Sequence, residues 1–119
     1  MKEKTVSDML EYNGREYPCC ASLTMGVIGG KWKTVILYHL ISGPRRYNEL
    51  RKEMPTVTER TLSLQLKQLD LDGIVKRKVY HKKPPMRVEY SLTDKGKTLI
   101  PVVEAIAEWG DAVVRAKAD

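Results

Sequence analysis

One stretch constrains this chain more than any other: Thr58-Glu59-Arg60-Thr61-Leu62-Ser63-Leu64-Gln65-Leu66-Lys67-Gln68-Leu69-Asp70-Leu71-Asp72. Leu62, Leu66 and Leu69 recur at i, i+4 and i+7, the spacing of one face of a helix. The spacing predicts an amphipathic helix of about four turns with these leucines inward. The same rotation turns Arg60, Leu64, Lys67, Gln68 and Leu71 outward, with Thr61 and Ser63 at the margins. Thr58 fits the N-cap, where a hydroxyl can accept a free amide of the first turn, although Thr56 with Glu59 would fit a capping box starting slightly earlier. Gly73 suits the residue after the helix, which favours a left-handed backbone. A helix anchored on one face and presenting hydrogen-bond donors on the other meets the requirements for reading base edges in a duplex groove. An ordinary surface helix with a solvated face fits the same spacing, so the rest of the chain must decide.

At 119 residues the chain is the size of one domain and can bury a core. It has no apolar run of the ~18–20 residues that span a bilayer, and Met1-Lys2-Glu3-Lys4 does not open a signal segment, which predicts a soluble, cytoplasmic protein without a membrane partner. Adjacent Cys19 and Cys20 do not make a disulfide framework, and with only His39 and His81 they lack zinc-site spacing. No metal and no cofactor are expected. The net charge of +6 is unevenly placed: residues 1–44 carry +1, residues 45–97 carry +7 from fourteen basic and seven acidic side chains, and residues 98–119 carry −2. The positive field therefore belongs to the segment around the leucine helix and favours a polyanion, DNA or RNA before a membrane surface.

Taken in order, residues 1–17 are polar and weakly periodic, an arm rather than a core element. After Pro18, Cys19-Cys20-Ala21-Ser22 leads into a short helix carrying Leu23, Met25, Val27 and Ile28 that ends at Gly29-Gly30. A second helix places Trp32, Val35, Ile36, Leu40 and Ile41 inward and stops at Gly43-Pro44. A third runs from Tyr47 to Met54, ending at Pro55, and a short turn joins it to the leucine helix. Helix, short turn, helix is the helix-turn-helix order. Beyond Gly73, residues 74–80 are rich in β-formers and Val88, Tyr90 and Leu92 alternate with Glu89 and Ser91, so a hairpin with Lys82, Lys83 and Arg87 about its tip forms a basic wing. Thr93-Asp94 caps a C-terminal helical region that Pro101 should kink or divide. Its apolar positions exceed what a small domain needs for its own core, which predicts a homodimer interface at Leu99, Val103, Ile106, Trp109 and Val113, joined by an N-terminal arm of residues 1–18. No nucleophile, base and orienting group converge at a recognisable spacing and no phosphate-binding glycine loop is present, which argues against an enzyme.

Several segments now line up: Cys19; Ile28-Gly29-Gly30-Lys31-Trp32-Lys33; Gly43-Pro44-Arg45-Arg46-Tyr47-Asn48-Glu49-Leu50; Leu66, Leu69 and Asp72-Gly73; the run Pro84-Pro85-Met86-Arg87-Val88-Glu89-Tyr90-Ser91-Leu92-Thr93 with Gly96; and Trp109-Gly110. In this joint spacing the chain resembles the HxlR-type winged helix-turn-helix transcriptional regulators of bacteria, in the MarR-like winged-helix superfamily, over residues 19–110. Residues 111–119 complete the last helix. The resemblance implies a mainly α fold with a small β-hairpin wing (α+β) and terminal dimerisation helices. It also implies a homodimer that binds a near-palindromic operator in double-stranded DNA. By position, Arg46 would meet the DNA backbone, with Tyr47 packed inward. Thr58, Arg60, Thr61, Ser63, Leu64 and Lys67 would serve the recognition helix, and Lys82, Lys83 and Arg87 the wing. Leu64 departs from the polar residue common in relatives and could meet a thymine methyl.

Some members of that family sense quinones, aldehydes or oxidants through a cysteine at the start of the first helix, where Cys19 stands; Cys20 occupies a position often held by proline. The positive end of a helix favours a nearby thiolate, so Cys19 and Cys20 are the redox-sensing candidates and an electrophile or other small molecule the candidate effector. A small apolar residue at a helix start is the alternative role. A winged-helix protein-interaction module without sequence-specific DNA binding is the alternative for the whole chain.

Overall fold

A computed structural model of the chain describes residues 9–80 and 83–118. In order, the elements are β1 (Leu10–Tyr12), β2 (Arg15–Tyr17), α1 (Cys20–Ile28), α2 (Lys33–Leu40), β3 (Arg45–Arg46), α3 (Tyr47–Glu53), α4 (Glu59–Leu71), β4 (Val75–Val79), β5 (Val88–Leu92), α5 (Asp94–Lys97) and α6 (Ile100–Ala118). The mainly helical α+β architecture is the expected one, with α3, a turn and α4 followed by the β4–β5 hairpin.

The core is built around the leucine stripe of α4. Leu62, Leu66 and Leu69 are fully buried with Ile36, Leu37 and Leu40 of α2 and Leu50 of α3. Each such side chain contributes ~1.5–3 kcal/mol by leaving water. Met54 and Val57 are buried in the turn between α3 and α4, so the turn is itself part of the core. Trp32 is half-buried against the same cluster, as expected, whereas Leu37, absent from the inward set read off the sequence, is one of its central members.

Both ends of α4 are fixed locally. Thr58 is the N-cap, its Oγ1 accepting the Thr61 amide at 3.1 Å. At the other end Gly73, at φ 75°, lets the chain turn back so that the Gly73 amide donates to Asp70 O (3.0 Å) and the Ile74 amide to Leu69 O (3.0 Å). That is the paired closure of a Schellman motif, sealed by apolar contact between buried Leu69 and Ile74. The reversal delivers the chain into β4.

The wing is larger than a hairpin. β5 lies between β4 and the two-residue strand β3, all antiparallel, with Arg45 opposite Tyr90 and Arg46 opposite Glu89. The sequence reading had no β3. Arg45 is consumed there in holding the turn before α3, donating to Ser42 Oγ (2.7 Å) and Glu53 Oε1 (3.0 Å), while His39 meets Glu53 Oε2 at 3.1 Å.

Of the expected arm, residues 1–8 lie outside the described residues, and the part that follows requires correction. Residues 10–17 form a hairpin whose turn residues, Asn13 and Gly14, both take positive φ (51° and 78°), and Tyr12 packs against the core. Asn-Gly between short β-forming runs is the sequence signal of a type I′ turn. The C-terminal region divides rather than kinks: α5, capped by Thr93, is separate from α6, and Pro101 lies in the first turn of α6, where no amide needs an intrahelical partner.

Leu66→Ala should destabilise the protein by ~2–5 kcal/mol, whereas Leu71→Ala, at a position 71 % exposed in the same helix, should change stability by about 0.5 kcal/mol or less. Urea denaturation at one fixed protein concentration checks the pair.

Candidate nucleic-acid interface

With its leucines in the core, α4 must turn Arg60, Ser63, Leu64, Lys67 and Leu71 to solvent, and all five are exposed. Thr58 and Thr61 are partly committed to structure: Thr58 Oγ1, besides capping, donates to Thr61 Oγ1 at 2.9 Å. Gln68 is half-buried rather than fully outward. The start of α4 is tied to α3 by the ion pair Arg51 Nη1–Glu59 Oε1 (2.7 Å) and by Tyr47, whose hydroxyl donates to Glu59 O (3.2 Å) and shares a hydrogen bond with Ser63 Oγ (3.2 Å). Tyr47 thus packs its ring against the core, as expected, and with its one proton on Glu59 O it receives the proton of Ser63.

Between α4, the start of α3 and the wing lies an open groove of about 700 Å³, lined by Arg46, Asn48, Ser63, Arg77, Met86 and Arg87 among others. Arg46 reaches it from the N-cap of α3, whose backbone amide is held by Glu49 Oε1 at 2.8 Å. Arg77 comes from the face of β4 shared with Val75, opposite Tyr90, and also borders a smaller cleft with Ser63, Lys67 and Asp70. Arg46, Arg60, Lys67 and Arg77 make no ion pair among the described residues. Their charge is unspent.

Arg87 is different. Its guanidinium lies 5.0 Å from the Tyr80 ring centroid and 3.7 Å from Glu89 Oε2, while Tyr80 Oη donates to Glu89 Oε1 at 2.9 Å. It is stapled to the loop end of the wing, just beyond the Val79–Val88 pair, with part of its surface in the groove. Lys83 is exposed at the tip; Lys82 lies outside the described residues. The groove therefore brings together Arg46, Ser63 and Arg87 of the anticipated residues and adds Arg77 and Asn48, which the sequence reading missed. Alternation along β4 carried the signal for Arg77, since a residue two positions from buried Val75 shares its face, but the run Lys76-Arg77-Lys78 hides that difference.

Two other candidate regions lie apart from this groove. Cys19 and Cys20 are both exposed free thiols at the start of α1, with Cys19 the N-cap in extended conformation and its thiol making no capping hydrogen bond. On α6, Val103 is only 1 % exposed and belongs to the subunit's own interior rather than to an outward interface, and Leu99, just before α6, is half-buried against the same core. The stripe left outward is Val102, Ile106, Trp109 and Val113, with Trp109 73 % exposed. No helix among the described residues is long and apolar enough to cross a membrane.

A buried-stripe helix following a short turn, with a basic β-wing beside its outer face, defines a winged helix-turn-helix transcriptional regulator. Residues 27–118 match the model of the HxlR-like helix-turn-helix family, and the chain belongs to that family. It is 52 % identical over 94 residues to YybR, an HTH-type transcriptional regulator of Bacillus subtilis (strain 168), covering 79 % of this chain and 74 % of that protein. Among solved structures it is similar to the redox regulator HypR in its oxidised form, with a TM-score of 0.75 and 51 % identity over 79 % of this chain and 96 % of HypR. The reduced form of HypR gives a TM-score of 0.74 and 48 % identity over 81 % of this chain and 97 % of that one.

Proposed function

We propose that this regulator binds a near-palindromic operator in double-stranded DNA as a homodimer and responds to oxidants or electrophiles through Cys19. The observation that carries the DNA reading is the groove in which Arg46, Arg77 and Arg87 meet the outer face of α4. A phosphate backbone entering there would meet fixed positive charge on both sides while α4 lies in the adjoining major groove. Arg60, exposed in the first turn of α4, is the candidate for bidentate contact with a guanine, and Leu64 for a thymine methyl. Arg46, Arg77, Lys82 and Lys83 are assigned to phosphates. Thr58, Thr61, Ser63 and Lys67 border the same surface.

The homodimer reading rests on α6. Its outward stripe repeats at i, i+4, i+7 and i+11, and an unpartnered Trp at its centre is costly in water. A second copy covering this stripe with its own would pair two α4 helices by two-fold symmetry, with half-sites ~34–36 Å or a multiple apart.

The thiol reading is supported by two exposed cysteines at a helix start and by the similarity to a redox regulator solved in oxidised and reduced forms. Vicinal cysteines bond to each other only with strain, so the switch is assigned to a disulfide between subunits or to an electrophile adduct.

Selection of duplexes from a random library, followed by binding at several salt concentrations, tests the DNA reading. Arg60→Ala should relax base preference at one position of each half-site by ~1–3 kcal/mol, whereas Arg77→Ala should weaken selected and scrambled duplexes alike and lower the salt slope by about 0.9 per subunit. Equal losses on both duplexes for both variants would contradict the division. Trp109→Asp should sediment as a monomer at micromolar concentration, and a wild-type monomer under those conditions would sink the dimer reading. Diamide, which takes two electrons and two protons from a pair of thiols as they join, should change wild-type affinity for the selected duplex and leave Cys19→Ser unaffected; an equal response in both proteins removes Cys19 from the switch.

A further inference from the structure

The N-terminal hairpin is fastened at both ends. At its base the Tyr17 ring lies against α1 at Gly26, where an added Cβ would stand 2.5 Å from Tyr17 Cε1, and the chain passes through Pro18 directly to the α1 N-cap, Cys19. Near its turn, Tyr12 Oη donates to the carbonyl of Asp72 at 2.8 Å and accepts from Lys95 Nζ at 2.7 Å. The Lys95 ammonium also lies 4.4 Å from the Tyr12 ring centroid, and Asn13 Nδ2 reaches Asp72 Oδ1 at 3.5 Å.

Asp72 is the C-cap of α4. Carbonyls at a helix end lack intrahelical partners. Those of Gln68, Leu69 and Asp70 are taken by the amides of Asp72, Ile74 and Gly73, so the local chain closes its own turn. The Asp72 carbonyl is instead satisfied by Tyr12, sixty positions away in the chain. Lys95 brings α5 to the same point, and the α5 cap Thr93 reaches back to Gly73 O at 2.6 Å. Hairpin, α5 and the far end of α4 therefore meet in one polar knot.

We propose that Tyr12 is a positioning residue for DNA binding, and that the hairpin is a strut coupling the start of α1, with Cys19 and Cys20, to the C-terminal end of the recognition helix. This rests on the DNA reading above. The leucine stripe and the packed turn before α4 fix its depth, rotation and angle to α3, but the last buried leucine, Leu69, lies three residues short of Asp72. At that outer end the Tyr12 hydrogen bond adds a directional hold to the packing. Over a helix of thirteen residues, about 20 Å long, a shift of about 1 Å at that end is a tilt of about 3°, enough to misplace side chains that must meet base edges.

Tyr12→Phe keeps the ring and its face contact with the Lys95 ammonium but removes the hydroxyl, and with it the hydrogen bonds to Asp72 O and from Lys95 Nζ. In the free protein, amides of residues 70–74 should exchange ~2- to 10-fold faster, the equivalent of one hydrogen bond, with α2 amides unchanged. Affinity for a duplex selected by the wild-type protein should fall by a similar ~2- to 10-fold, with affinity for a scrambled duplex and the salt slope preserved. Lys95→Met should reproduce part of both effects. Unchanged exchange, unchanged affinity for the selected duplex, or equal losses on both duplexes overturn the proposal. If the wild-type protein enriches no duplex at all, the DNA reading fails and Tyr12 loses its binding role with it, while the exchange rates still decide whether the hairpin braces α4.

Discussion

Burial of Leu62, Leu66 and Leu69 is the interaction on which the rest of this molecule depends. A helix that buries three leucines along one line has its rotation about its own axis decided, because any other rotation would expose apolar surface worth several kcal/mol. The identity of the outward residues follows from that rotation rather than from any interaction of their own. Arg60, Leu64 and Lys67 are displayed because the leucines are hidden. The turn before α4 obeys the same constraint: Met54 and Val57 are buried, so the angle between α3 and α4 is set by core packing, and the Arg51–Glu59 pair, partly solvent-exposed, adds little.

The basic residues divide into those the fold consumes and those it leaves available. Arg45 holds the turn before α3 through Ser42 and Glu53, and Arg87 is stapled to Tyr80 and Glu89. Arg46, one residue from Arg45, and Arg77, paired across the sheet to Tyr90, make no ion pair among the described residues and face one groove. A count of charges along the chain sees only an excess between residues 45 and 97. The strand register does not separate the two kinds, since Arg45 and Arg77 both lie opposite Tyr90 while Arg46 lies opposite Glu89; what separates them is whether the fold sets a partner in reach, Glu53 and Ser42 for Arg45, Glu89 and Tyr80 for Arg87.

Much of the fold was legible in advance because it rests on local rules. The α4 stripe, the Thr58 cap, the Gly73 closure, the alternation of β5 and the break near Pro101 are all spacing or single-residue signals, and each appears where its chemistry demands. What escaped depends on partners distant in sequence. β3 is two residues long and exists only because β5 lies beside it, and Leu37 is central only because α4 packs over α2. Val103 and Leu99 looked like interface because apolar periodicity on α6 does not say which of two adjacent faces meets the subunit's own core. The hairpin was the avoidable omission, since Asn13-Gly14 is a local signal that the polarity of the surrounding segment obscured.

α6 is divided between a buried start and an exposed apolar stripe. At its start Val103 enters the core beside α2, and the side chains from 111 to 117 are exposed throughout, so the helix is anchored at one end and leaves the domain at the other. A short helical stretch with no packing of its own is marginal in water even with favourable residues. The roughly four turns beyond Val103 are supported by the cooperativity that propagates from that anchor, and they carry the exposed stripe of Ile106, Trp109 and Val113. Because the anchor packs on α2, and α2 packs on α4, a change in the angle of the projecting half reaches the recognition helix through contiguous buried side chains. The polar knot at Asp72 holds the same helix at its C-terminal end.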